Sequence, residues 1–174
     1  FAGAVKGTLL AGEKVQVRVD GGAWKDAIVS GTNWSYDHTA STLTDGKHKV
    51  ETRVVDLAGN GTTPLAKDVT IDTVAPNPTT SMSDIKLDDN VAPITGAIVD
   101  GTVTNDNTPT LSGKATPGVK TVNVYDGSKL LGSAPVQADG TWSFTPNPAL
   151  TEGGHSFIAK PVDAANNEGA GTDP

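Results

Sequence analysis

Apolar residues along this chain recur at every second position and in short runs. Val15, Val17 and Val19 alternate with Gln16 and Arg18, and Lys49, Glu51 and Arg53 alternate with Val50, Thr52 and Val54. Further on, Val122 and Val124 face one way while Asn123 and Tyr125 face the other, and Trp142 and Phe144 alternate with Thr141 and Ser143. A period of two puts successive side chains on opposite faces, which predicts half-buried strands. Phe157 and Ile158 lie in a strand leading to Asp163, and Val69 and Ile71 form another. Asp20-Gly21-Gly22, Asp45-Gly46, Asp126-Gly127 and Asp139-Gly140 punctuate these runs as turns. No stretch sustains a 3.6-residue apolar period, so helices are expected to be nearly absent. Strands this short and this regularly interrupted predict an all-β protein of paired antiparallel sheets.

The same order of signals occurs twice. Leu43-Thr44-Asp45-Gly46-Lys47-His48 stands beside Leu150-Thr151-Glu152-Gly153-Gly154-His155, an offset of 107 residues. At that offset Val55-Asp56-Leu57-Ala58-Gly59-Asn60 falls on Val162-Asp163-Ala164-Ala165-Asn166-Asn167. Gly31-Thr32-Asn33-Trp34-Ser35-Tyr36 matches Asp139-Gly140-Thr141-Trp142-Ser143-Phe144 after a one-residue change of register. Two modules are therefore expected, residues 1–78 and 79–174, with a linker over about 74–88 where Pro76 and Pro78 stiffen the exit. The second module is expected to begin near Asp84, and Trp34 and Trp142 are read as plugs of the two cores. The first copy lacks a counterpart of residues 84–112 apart from Phe1 to Gly7, and the second lacks one of Val69 to Thr73. An excised piece of a longer array is expected, its modules each missing an edge strand and so exposing backbone donors and acceptors.

Composition narrows the function. Hydrophobic residues make up 36% and aromatics 5%, enough for two small cores but thin for one large one. The net charge of −7 would repel the phosphates of nucleic acid. No apolar run is long enough to span a bilayer. No signal peptide is visible, and Phe1 is not a natural start. With no cysteine, the chain cannot use the disulfides on which small secreted domains often rely. Of the 20 acidic residues 16 are Asp, a turn former and also a hard oxygen ligand suited to Ca²⁺.

Asp56-Leu57-Ala58-Gly59-Asn60 followed by Asp72-Thr73-Val74-Ala75-Pro76 resembles the signature of bacterial immunoglobulin-like repeats in giant surface adhesins. Asp88-Asp89-Asn90-Val91-Ala92-Pro93-Ile94-Thr95-Gly96, with Thr104-Asn105-Asp106-Asn107-Thr108-Pro109 after it, is similar to repeats of biofilm-associated proteins secreted by type I systems. The resemblance covers nearly the whole chain and implies two tandem immunoglobulin-like β-sandwich domains. It also implies a location secreted to or on the bacterial cell surface, and roles in cell adhesion and biofilm formation. The implied partners are neighbouring repeats of the same adhesin and, through the parent protein, a host or abiotic surface. Many such repeats bind Ca²⁺ at or near the inter-domain junction. Carried over residue by residue, the metal candidates are Asp56, Asp72, Asp88, Asp89, Asp106 and Asp163.

A physical argument stands beside that carry-over. Ca²⁺ takes about 6–8 oxygen ligands. In an end-to-end stack the loop after Val55 and the strand exit at Asp72 are expected at one pole of the first module, next to Asp84, Asp88 and Asp89 at the start of the second. Carboxylates meeting there would repel one another, and a shared ion would cancel the repulsion and lock the hinge. Asp163 would serve the next junction. The alternative is that these residues cap their own turns, Asp106 in particular by accepting backbone amides.

No catalytic constellation stands out, so no enzyme activity is expected. His48 and His155 occupy matching positions after a glycine turn, which points to a structural role, and no His or Cys spacing suggests zinc. No glycine cluster opens a helix to cradle phosphate. The leading function is a calcium-rigidified spacer in an adhesin. The alternative is a carbohydrate- or host-protein-binding module, for which Trp24, just after a Gly-Gly turn, is the candidate platform.

Overall fold

The computed structural model describes residues 1–172, and its contacts divide the chain into two units, the first over Phe1–Asp72 and the second from Thr73 onward. Both are all-β.

The first unit holds β1 (Ala2–Ala4), β2 (Lys14–Val19), β3 (Lys25–Asp26), β4 (Ile28–Ser30), β5 (Asn33–Ser35), β6 (Gly46–Val55) and β7 (Leu65–Ile71). They form two antiparallel sheets, in the orders β1-β5-β4 and β3-β2-β6-β7. The alternation read along β2 decides its faces: Val15 and Val17 are buried, while Gln16 and Arg18 stay partly in water. Asp20 and Gly21 both take positive φ, at 50° and 71°, after β2. Asp and Gly tolerate that left-handed geometry, and the turn it makes matches strand twist. Val50 and Val55 on β6 complete the buried set.

The second unit opens with a single helical turn, α1 (Pro78–Ser81), capped by the Asn77 side chain, which accepts from the Thr79 amide at 3.1 Å. Its strands are β8 (Met82–Asp89), β9 (Gly96–Ala97), β10 (Thr110–Ala115), β11 (Val119–Asp126), β12 (Lys129–Pro135), β13 (Thr141–Phe144) and β14 (Phe157–Asp163). Their sheet orders are β13-β10-β8-β9 and β12-β11-β14. Leu111, Val122, Val124, Trp142, Phe157 and Ala159 meet between them as one core.

The units share one plan. β6 and β14 correspond at the 107-residue offset down to single pairs. Val55 bridges Gly61 as Val162 bridges Glu168, and Thr52 pairs Leu65 as Ala159 pairs Thr172. Gly3 opposes Trp34 in the first unit as Gly113 opposes Trp142 in the second. A Cβ on Gly3 would lie 2.9 Å from Trp34 Cζ2, and one on Gly113 would lie 3.0 Å from Trp142 Cζ2, so each indole occupies the space a side chain would take.

Two expectations need correction. The contacts divide the chain between Asp72 and Thr73, and residues 78–88 of the expected linker over 74–88 are structured. Residues 82–89 form β8, paired along β10. A bulge hides this strand from a period-two search: Asp84 has φ 52°, and Asp84 and Ile85 together oppose the single residue Gly113. Met82 and Ile85 therefore share inward character three residues apart. Trp34 also differs from Trp142. Trp142 is 2% exposed, whereas Trp34 is half-buried. The sheet over Trp34 is made of three-residue strands, and among the described residues β1 has no partner strand in the place that β8 takes beside β10.

Candidate functional site

The six aspartates singled out as calcium ligands are dispersed by strand direction. β6 and β7 run antiparallel with Gly46 opposite Ile71, so the chain leaves the first unit at the Gly46 end. Asp56 follows the other end of β6, ten residues away, roughly 30 Å at the rise of a strand. Asp56 and Asp72 therefore do not meet at one pole, contrary to the sequence-based expectation. In the second unit β8 begins at Met82, opposite Ala115, and only at its far end reaches Asp88 and Asp89, beside Thr110. Asp163 pairs with Val119, at the Met82 end. Asp88, Asp89 and Asp106 thus lie one strand length from Asp163 and from the start of the unit.

Asp56, Asp88, Asp89, Asp106 and Asp163 are engaged by donors. Asp56 Oδ1 accepts from the Asn60 amide at 2.8 Å and Oδ2 from Asn60 Nδ2 at 2.9 Å. Its repeat partner Asp163 does the same: Oδ1 accepts from the Ala165 and Asn167 amides at 2.8 and 2.9 Å, and Oδ2 from Asn167 Nδ2 at 2.9 Å. Asp106, 3% exposed, accepts from the Thr108 amide at 2.8 Å, from Thr108 Oγ1 at 3.1 Å and from the Asn90 amide at 3.1 Å. Asp89, 4% exposed, accepts from the Val91 amide and from the Thr104 hydroxyl. Thr104 Oγ1 also accepts from the Asp106 amide at 3.0 Å, which joins the two carboxylates into one network. Asp88 pairs with Lys86 at 2.8 Å.

These contacts set the titration of the acids. The Asn60 side chain and amide hold the Asp56 carboxyl below its usual range. Burial pushes Asp106 up, but the Asn90 and Thr108 donors outweigh it and leave it lowered. Asp163 follows the same pattern, with burial opposed by Asn167 and neighbouring amides.

An N–H pointed at a carboxylate oxygen takes one of the lone pairs that a cation could use. Asp56, Asp89, Asp106 and Asp163 are surrounded by such donors, and among the described residues no group of three or more His, Cys, Asp or Glu side chains is placed to hold a metal ion. In this arrangement Asp56, Asp106 and Asp163 staple their own loops.

Histidine chemistry repeats as faithfully as the Asp loops. In the first unit His48 Nδ1 lies 2.6 Å from Asp20 Oδ2 and Nε2 lies 2.7 Å from the Thr44 carbonyl, while Asp20 Oδ1 accepts from the Lys49 amide at 2.8 Å. In the second, His155 Nδ1 lies 2.7 Å from Asp126 Oδ2 and Nε2 lies 2.8 Å from the Thr151 carbonyl, while Asp126 Oδ1 accepts from the Ser156 amide at 2.9 Å. The sequence showed the matching histidines and, separately, the Asp-Gly turns. It could not join them, because the contact depends on β2 lying beside β6 and β11 beside β14.

Trp24, the candidate sugar platform, is half-buried beneath cations. The guanidinium carbons of Arg18 and Arg53 sit 4.6 and 4.3 Å from its ring centre. Arg18 is held there by two bonds to Glu51, and Arg53 by two bonds to Gln16 Oε1. An indole face already taken by guanidinium is not open to stack on a sugar ring.

Among the described residues no helix is long and apolar enough to cross a membrane. No curated protein matches the chain. A similar solved structure is the mixed-linkage glucan utilization locus protein SGBP-B of Bacteroides ovatus, in complex with a mixed-linkage heptasaccharide. The identity is 16% and the TM-score 0.27, over 92% of this chain and 36% of that one. The model of the bacterial Ig-like domain matches residues 4–73 and 79–173, almost the whole chain in two segments that follow its two units, and the chain belongs to the bacterial Ig-like domain family.

Proposed function

We propose that the chain is a repeat segment of a bacterial cell-surface adhesin, a non-catalytic spacer that carries a distal binding region away from the cell in attachment and biofilm formation. The observation behind this reading is the repetition itself. Two units keep the same strand pairs, the same Gly–Trp contact, the same Asp loop and the same His–Asp cluster at a near-constant offset. Function concentrated in one unit would leave the other free to diverge in such details, whereas a spacer needs the same fold in every module. Strand direction also favours it. The chain leaves the first unit at the end opposite its Asp56 loop and enters the second at the end that holds its Asp163 loop.

In this proposal the aspartates stiffen each unit by stapling their own loops, and calcium held near the inter-domain junction would add to that stiffness. Secretion and partners follow from the adhesin role: further repeats of the same protein, and a host or abiotic surface reached through the parent chain. Antibodies raised against the chain should label intact cells of the source bacterium, and deleting the coding segment should reduce surface attachment. Labelling that appears only after lysis would remove the proposal.

A further inference from the structure

The loop that crosses from one sheet to the other is tied down by histidine in both units. In the first it runs over residues 36–45 between β5 and β6, and in the second over residues 145–156 between β13 and β14. His48 lies on β6 just beyond the first loop, and His155 lies at the end of the second. Each holds a loop carbonyl with one ring nitrogen and the carboxylate after β2 or at the end of β11 with the other.

Both partners of each ring are acceptors. A carbonyl oxygen has no proton to give, and an ionised carboxylate has none either. Neutral imidazole carries one N–H, so at these distances it would turn a lone pair toward either the Thr carbonyl or the Asp oxygen. Only the imidazolium, with two N–H groups, satisfies both. The same four-part arrangement, including the strand amide on the second carboxylate oxygen, is built twice from different surrounding residues.

We propose that His48 and His155 are acid-tightened latches, doubly protonated rings that clamp the sheet-crossing loop of each unit and release it as the solution turns alkaline. The charged surroundings are as follows. Around His48 stand Asp20, Lys47 and Lys49 on the flanks of β6, Asp68 opposite Lys49 on β7, and Asp45 on the loop, with His38 acting on Asp20 from the loop. Around His155 stand Asp126 and Lys129 of the β11–β12 hairpin and Glu152 of the loop, and Lys86, Asp100 and Asp106 line the same cleft. Asp20 and Asp126 are the carboxylates in direct contact with the rings.

The direction of the pH effect follows. The carboxylate and then the loop carbonyl raise each imidazole above its ordinary value. Stability from a raised group is complete below the unfolded value of about 6.5 and is lost as pH rises through the folded value. Asp20 and Asp126 are lowered and contribute above about 3.9. The latches are therefore fully closed between about pH 4 and 6.5 and open as pH rises through the raised folded values of the two rings.

The test uses the whole chain. Long-range proton–nitrogen spectra should show two N–H groups on both rings at pH 6, with titration midpoints above about 6.5. For each unit of pH by which a midpoint exceeds the unfolded value, the folded-to-unfolded ratio of that unit should fall about tenfold between pH 6 and 9. His48→Gln/His155→Gln should flatten that slope, since His38 remains in both proteins. Asp126→Asn should lower the His155 midpoint and leave the His48 midpoint in place, a readout on folded protein. A singly protonated ring at either position at pH 6, or equal slopes in wild type and double variant, would overturn the proposal.

Discussion

Replacing Asp106 by alanine removes one buried carboxylate and orphans three donors: the Asn90 amide, the Thr108 amide and the Thr108 hydroxyl. A hydrogen bond to a charged group contributes about 1.5–3 kcal/mol, so three in full would approach 9 kcal/mol. They do not add in full. Asn90 is exposed and Thr108 half-buried, so water reaches part of what is lost, and bonds sharing one acceptor are coupled. We expect a loss of about 3 kcal/mol, or a melting temperature lower by roughly 12–24 °C for a domain of about 100 residues. Asp106→Asn should fall between, because its amide oxygen keeps one acceptor while its NH₂ confronts an N–H. Urea unfolding followed by circular dichroism gives the free energy. Amide exchange at Val122 and Val124 assigns the transition to the second unit. Each protein is measured in excess Ca²⁺ and again in chelator, and the loss should be the same in both. Melting of Asp106→Ala within about 2 °C of wild type would refute the staple argument. A loss that appears only in calcium would show that the carboxylate serves an ion instead.

Other outcomes follow from the same geometry. Gly113→Val should cost about 1–3 kcal/mol by overpacking, because a Cβ there meets Trp142 Cζ2 at 3.0 Å and the Ser83 carbonyl of β8 at 3.1 Å. Gly154→Ala, with no heavy atom within 4 Å of the added carbon, should stay within about 0.5 kcal/mol in the same denaturation assay. Leu111→Ala, at 0% exposure, should cost about 2–5 kcal/mol through the cavity it leaves. Below about pH 4 stability should fall as Asp56, Asp106 and Asp163 take up protons. Lowered acids contribute above their unfolded value and lose that contribution as pH drops through the folded one, which acid titration of the wild type checks directly. Trp24→Ala should lower the melting temperature modestly, by releasing Arg18 and Arg53, and should change no signal on a glycan array.

The parts of the fold that were legible before the structure share a cause: they are written locally. β2 could be read from Val15 and Val17 because alternation reports which face is buried without reference to any partner. The twofold plan could be read because Asp56 to Asn60 and Asp163 to Asn167 each fold their own loop with their own side chains. β8 was missed because Asp84 spoils its period, and only pairing with β10 absorbs the extra residue.

The candidate site divides in the same way. The sequence by itself determined which aspartates and histidines exist in duplicate and that each lies near a turn. Tertiary structure alone decided which of them meet. Antiparallel pairing sent Asp56 and Asp72 to opposite ends of one strand and brought Asp20 to His48 across 28 residues of chain. The physical reason is that a carboxylate takes its role from the groups that reach its oxygens. When those groups are amides of its own loop, the sequence carries them. When they lie on another strand, the pairing of strands has to supply them.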